Sequence, residues 1–150
     1  MKKYALLLIT MTVLVFCRCD NDQPEYYVKQ VRLDLGVCGT VQHYCQFSEV
    51  YRNFNIHNYP RVKSVIFTVK LSSSSEISEA SVALYNLTDS TIIENSVIST
   101  RSTDLVWYDS ENLVNSFPDH DIDLTTVVTT EYQLYYAYTS AGAYLYISME

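Results

Sequence analysis

The chain has 150 residues, enough for one domain. With 48% hydrophobic and only 18% charged residues it can bury a core, which sets it apart from a disordered acidic tail. Ten Lys and Arg stand against seventeen Asp and Glu, a balance that argues against nucleic acid and against electrostatic contact with anionic lipid.

The first segment reads as a secretion signal. Lys2 and Lys3 precede Tyr4 to Phe16, an uncharged and mostly apolar run. As a helix that run spans about 20 Å, short of the roughly 30 Å of a bilayer core, so a cleaved signal fits better than a transmembrane anchor. It ends at Cys17-Arg18-Cys19-Asp20-Asn21-Asp22. This resembles the lipoprotein signal of Gram-negative bacteria, in which a cysteine is acylated and becomes the mature N-terminus. The resemblance implies lipid attachment at Cys19, or at Cys17, and an outer-membrane lipoprotein at the cell surface or on the periplasmic face. Asp20 and Asp22 directly after Cys19 are similar to the surface-export tag of some such lipoproteins. The alternative is a soluble periplasmic protein that loses its signal elsewhere. Residues 1–19 are then signal and acylation site, 20–25 a tether containing Pro24, and 26–150 one domain. Losing Lys2, Lys3 and Arg18 leaves seventeen acids against seven bases, a mature charge of −10. A neutral partner such as a glycan, or a protein, suits that charge.

Beyond the tether a period of two dominates. The first strand candidates are Tyr26–Leu35 and Thr40–Cys45. In Val65–Leu71 the odd positions are apolar while Thr68 and Lys70 are polar, a strand with one face in a core. Ala80–Leu87, Ile92–Thr100 and Leu105–Tyr108 follow. Glu131–Thr139 sets Tyr132, Leu134, Tyr136 and Tyr138 on one side, with Gln133, Tyr135 and Ala137 opposite. Ala143–Met149 sets Ala143, Leu145, Ile147 and Met149 against Tyr144, Tyr146 and Ser148. Ser140-Ala141-Gly142 between these two runs reads as a hairpin connection. Ser72–Ser78, Asn86–Ser90 and Pro118–Asp121 read as loops. Phe47, Val50, Tyr51 and Phe54 fall at helical spacing behind a Ser48 cap, which predicts a helical turn. Many short strands and at most one short helix predict an all-β, two-sheet antiparallel, jelly-roll-like β-sandwich.

Val82-Ala83-Leu84-Tyr85-Asn86-Leu87-Thr88-Asp89, then Ser96–Ser102, then the closing strands, resemble carbohydrate-binding-type jelly-roll modules of bacterial surface proteins. In these an A-x-L-Y-N-x-T-D hairpin precedes a Ser- and Thr-rich strand. The likeness covers roughly residues 60 to 150. It implies a fold and carries no binding residues across.

Cys38 and Cys45 remain after the signal, and in an oxidising compartment they are candidates for a disulfide; free thiols or, with His43 and His57 nearby, a metal are the alternatives. Asp119, Asp121 and Asp123 alternate as at the start of an EF-hand, yet Leu124 stands where glycine is needed and Thr130 where the bidentate glutamate belongs. A solvated acidic loop is the plain reading, a structural calcium the sharper one, and no other cofactor is implied. Neither a G-x-S-x-G elbow nor H-E-x-x-H is present, and three glycines cannot furnish a phosphate-binding loop, so the chain is read as no enzyme.

The surplus lies in the aromatics. Tyr135, Tyr144 and Tyr146 oppose apolar strand faces, and Trp107 with Tyr108 would add to a ring surface on which sugars stack. The plainer alternative is that these tyrosines fill the second face of a sheet. The reading is a non-catalytic envelope lipoprotein that binds glycan through an aromatic face. A structural or adhesive component docking on another envelope protein is the alternative, and a small glycan hydrolase the weaker one.

Overall fold

The computed structural model describes residues 29–36, 40–42, 44–46 and 49–150. The predicted signal, the tether, Cys17, Cys19 and Cys38 lie outside these residues, as do Phe47 and Ser48 of the predicted helical turn. Within the described residues the chain forms β1 (Lys29–Asp34), β2 (Thr40–Gln42), β3 (Tyr44–Gln46), β4 (Tyr51–Phe54), β5 (Val62–Ser73), β6 (Ala80–Asn86), β7 (Thr91–Ile92), β8 (Ile98–Thr100), β9 (Val106–Asp109), β10 (Ile122–Thr130) and β11 (Tyr136–Met149). A single 3₁₀ turn, Ile56–Asn58, follows β4.

Two antiparallel sheets pack face to face, as expected of an all-β sandwich. The first runs β1-β11-β5-β9, with β2 beside the front part of β11 and β1 beside its rear part. The second runs β3-β10-β6-β7, with β4 beside β10 and β8 beside β6. Each sheet thus has two long central strands flanked by short ones laid end to end. Neighbours are rarely consecutive in the chain, the mark of a jelly-roll-like path. The predicted strand Thr40–Cys45 is in fact two, β2 in the first sheet and β3 in the second.

Alternation drives the packing. Val65, Phe67, Val69 and Leu71 of β5, with Ala143, Leu145 and Ile147 of β11, form one inner face. Val82 and Leu84 of β6, with Ile122, Leu124 and Val128 of β10, form the other, and all are buried. Each fully buried large side chain contributes roughly 1.5–3 kcal/mol. Phe54 and Phe117, with ring centroids 5.0 Å apart, close one end of the core beside Leu113.

The structure corrects four further expectations. Residues 47–54 form no helix among the described ones: Tyr51, Arg52 and Asn53 are exposed and only Phe54 is buried. Tyr51 and Phe54 instead register with Leu124 and Ile122, where the edge of β10 satisfies their backbone. Second, β10 had no counterpart among the predicted strands. Its inward positions 122, 124, 126, 128 and 130 include two threonines, which break the apolar signal although both are buried. Third, Ser140–Gly142 is no hairpin. Thr139 faces Leu71 and Ala143 faces Val69, so β11 runs straight on beside β5 with a two-residue bulge, and Gly142 supplies φ +93°. Fourth, the faces of the preceding run are reversed. Ala137 and Thr139 are the buried side chains, and Tyr136 and Tyr138 stand outside. Glu131–Tyr135 form the connection between the sheets, and β11 begins only at Tyr136.

The Tyr85-Asn86-Leu87-Thr88-Asp89 stretch is a clamp at the β6–β7 turn. The Asn86 amide donates to Asp89 Oδ2 (2.6 Å) and its carbonyl accepts from the Asp89 N–H (3.1 Å). Thr88 Oγ1 accepts from the Asp123 N–H (2.9 Å), which ties the turn to β10.

Candidate functional site

The outer face of the first sheet carries the aromatic surplus. Because opposed residues on antiparallel strands share a face, the register places Asp34, Tyr144, Thr68 and Asp109 in one row across β1, β11, β5 and β9. Arg32, Tyr146 and Ile66 form the next row, and Lys70 with Trp107 lies on the other side of it. Tyr136 and Tyr138 occupy the same face further along β11, so the strand shows four outward tyrosines between positions 136 and 146. At about 3.3 Å per residue, less the bulge, that stripe is on the order of 30 Å long.

The rings are in mutual contact. Trp107 and Tyr144 have centroids 5.9 Å apart with planes at 31°, and Tyr144 and Tyr146 are 6.1 Å apart. Tyr136 and Tyr138 stack at 6.4 Å. These separations are the range in which aromatic pairs attract beyond simple burial. The Arg32 guanidinium sits 4.8 Å from the centre of the Tyr144 ring, a cation–π contact that fixes one face of the platform. Trp107 remains 47% exposed, far more than a core tryptophan would be.

Gly142 shapes this surface from below. A Cβ on it would stand 2.9 Å from Tyr144 Cζ and Oη, so the Tyr144 ring lies back across bare backbone. Any side chain there would push the ring off the platform.

Of the predicted ring set, Trp107, Tyr144 and Tyr146 are brought together. Tyr108 is not with them: it points inward from β9, packs on the core, and its hydroxyl lies 2.8 Å from Thr100 Oγ1. Tyr135 is also apart. Without the hairpin it falls in the connection before β11, beside Tyr132 (6.3 Å) and near Ile77 and Leu134. Arg32, Asp34, Lys70, Asp109 and Gly142 were missed, since only strand register brings them to the rings.

The acidic triplet is dispersed over separate donors. His57 Nε2 lies 3.0 Å from Asp119 Oδ1, Asn55 Nδ2 donates to Asp121 Oδ1 (2.9 Å), and Arg52 Nη1 donates to Asp123 Oδ2 (2.8 Å). Asp123 Oδ1 also accepts from the Asn53 N–H (3.2 Å). The alternation therefore works as a ladder that fastens the β4 segment to the entry of β10. Among the described residues no three His, Cys, Asp or Glu are grouped to hold a metal ion. Cys45 lies on β3, and its proposed partner Cys38 is outside the described residues.

A second exposed feature lies at the β10–β11 connection. Ile77 (64% exposed), Leu134 (82%) and Tyr132 (49%) line a shallow apolar hollow of about 320 Å³ with Tyr135. Arg101 bridges Glu79 (3.7 Å) and Glu131 (3.3 Å) on neighbouring segments.

The class this fold defines is an all-β, two-sheet antiparallel sandwich with an aromatic outer face. In comparison with known proteins, no family model matches the chain and no curated protein matches it in sequence.

Proposed function

We propose that this chain is a membrane-anchored envelope lipoprotein that binds glycan, without catalysis, on the outer face of its first sheet. The observation that carries the reading is the contact series Trp107–Tyr144–Tyr146 on the outer sheet face, with Trp107 exposed and the two tyrosines half-buried. Sugar rings present C–H faces that stack on such rings, and their hydroxyls need hydrogen-bonding neighbours. Arg32, Asp34, Thr68, Lys70 and Asp109 border the rings and supply these. The length of the stripe suits an extended oligosaccharide better than a single sugar.

Trp107 is the only tryptophan of the chain, so its fluorescence reports directly on the platform. Saturable quenching or enhancement on titration with oligosaccharides, abolished by Tyr144→Ala while the far-ultraviolet circular dichroism is kept, is the expected result. A folded protein silent toward a broad glycan array would sink the reading. The anchor is tested separately. Labelled palmitate should enter the protein in cells and be lost in Cys19→Ser or in Cys17→Ser; no label in the unaltered protein would refute lipidation, and label retained in the double variant would refute attachment at these cysteines.

A second reading, docking on an envelope protein, is favoured by the exposed hollow around Leu134. Crosslinking in intact envelopes that Leu134→Asp removes and Trp107→Ala leaves intact would select it.

A further inference from the structure

We infer that the glycan site extends off the edge of the platform into the cleft between β8 and β9, and that this cleft selects uncharged sugar. The inference rests on the glycan reading of the platform.

The cleft encloses about 400 Å³ and is lined by Asn95, Val97, Ser99, Tyr108, Asp109 and Glu111, among others. It opens where an edge strand of one sheet, β9, approaches an edge strand of the other, β8. Asp109 belongs to both places. It stands in the row of Tyr144 and Thr68 on the outer face, two residues along β9 from Trp107, and it also forms part of the cleft wall. Two residues of strand amount to about 6.8 Å. A saccharide chain lying on Tyr144 that crosses the sheet edge along that row, over Thr68 and Asp109 and with Trp107 at its flank, meets the cleft next.

The wall chemistry selects the ligand. One carboxylate oxygen of Asp109 accepts from Thr68 Oγ1 (2.6 Å), which orients the group and leaves Oδ2 for a ligand. The side chains of Asn95 and Glu111 form no hydrogen bond to described residues. Ser99 Oγ is already held by Ser81 Oγ at 2.8 Å, and the Tyr108 hydroxyl by Thr100. The open valences are thus mostly acceptors: two carboxylates and one amide. Val97 and the Tyr108 ring supply the apolar side. A ligand rich in hydroxyl donors satisfies such a wall, because hydrogen bonds to an ionised acceptor are the stronger kind. No Lys or Arg lines the cleft, so a uronic-acid residue would meet two like charges with nothing to offset them. Asn95, at the cleft rim, holds φ +61°, a conformation that asparagine adopts more readily than most residues.

The test uses the full-length chain in detergent with four hexasaccharides as probes: neutral glucose, mannose and galactose oligomers, and a galacturonic acid oligomer. The expected result is that a neutral probe binds and the uronate probe binds at least about tenfold more weakly. Glu111→Ala and Asn95→Gly, the second keeping a residue that accepts the positive φ, should each weaken the neutral probe by about tenfold and leave the unfolding midpoint in place. Glu111→Gln should narrow the gap between neutral and uronate probes. If Trp107→Ala abolishes binding while Glu111→Ala and Asn95→Gly do not change it, the cleft is refuted and the platform reading stands. If the uronate probe binds as tightly as the neutral ones, the selectivity is refuted. If none of the four binds the folded protein, the cleft falls together with the platform.

Discussion

The two faces of the first sheet use the same strands for opposite ends. Along β5 and β11 the inward set, Val65, Phe67, Val69, Leu71, Ala143, Leu145 and Ile147, is aliphatic or aromatic and has no contact with water. The outward set, Thr68, Lys70, Tyr144 and Tyr146, with Arg32 and Trp107 from the flanking strands, mixes rings with charge and stays partly wet. A period of two lets one residue serve the core and the next serve the outer face. The bulge at Gly142 is where the two tasks meet, since it sets both the path of β11 in the core and the seat of the Tyr144 ring.

That contrast can be broken in graded steps. Leu145→Ala, on the inward side, should destabilise the domain by about 2–5 kcal/mol, read from urea denaturation, because a fully buried side chain leaves a cavity between two sheets. Gly142→Ala should cost about 1–3 kcal/mol through its positive φ and should also displace Tyr144, so Trp107 emission should shift as well. A loss of stability with unchanged emission would separate the bulge from the platform. Tyr144→Ala should cost only about 0.5–1.5 kcal/mol in lost ring contacts while removing glycan binding; a loss as large as that of Leu145→Ala would show that the outward rings are structural.

The smallest expected effect lies away from both faces. Burial, helped by the hydroxyl and charge of Tyr51, pushes the Tyr59 phenol from 10.0 up to about 12. Its folded-state value is raised, so the neutral hydroxyl contributes stability that is complete below pH 10 and is lost as pH rises from about 10 toward 12. Denaturation midpoints at pH 9 and 11 should differ in that direction, and by less in Tyr59→Phe.

The fold class was legible because β5 and the rear half of β11 alternate cleanly, apolar against polar. The same rule misled where the residues are ambiguous. In Glu131–Thr139 tyrosines stand on the apolar side of the pattern, yet a ring with a hydroxyl is at home outside, and the small Ala137 and Thr139 take the inward places. In β10 Thr126 and Thr130 fill core-facing positions and hid the strand altogether. Tyr144 and Tyr146 could be nominated from the sequence as outward residues, and Trp107 as a ring that could join them. Their polar neighbours could not, because Arg32, Lys70 and Asp109 lie far apart in the chain and meet the rings only through strand pairing. The Asp119–Asp123 alternation was visible, but its partners Arg52, Asn55 and His57 were out of reach for the same reason.

The position of β11 has a kinetic side. It is the last strand in chain order, yet it is central in its sheet and takes Lys29–Asp34, from the far end of the described chain, as a direct partner. The first sheet therefore has no middle until residues 136–149 are present, and closing it spans more than a hundred residues of intervening chain. Pairing of such distant segments is slow. The first sheet should therefore wait on residues 136–149 and then close in one step, with both of its ends gathered at a single late event.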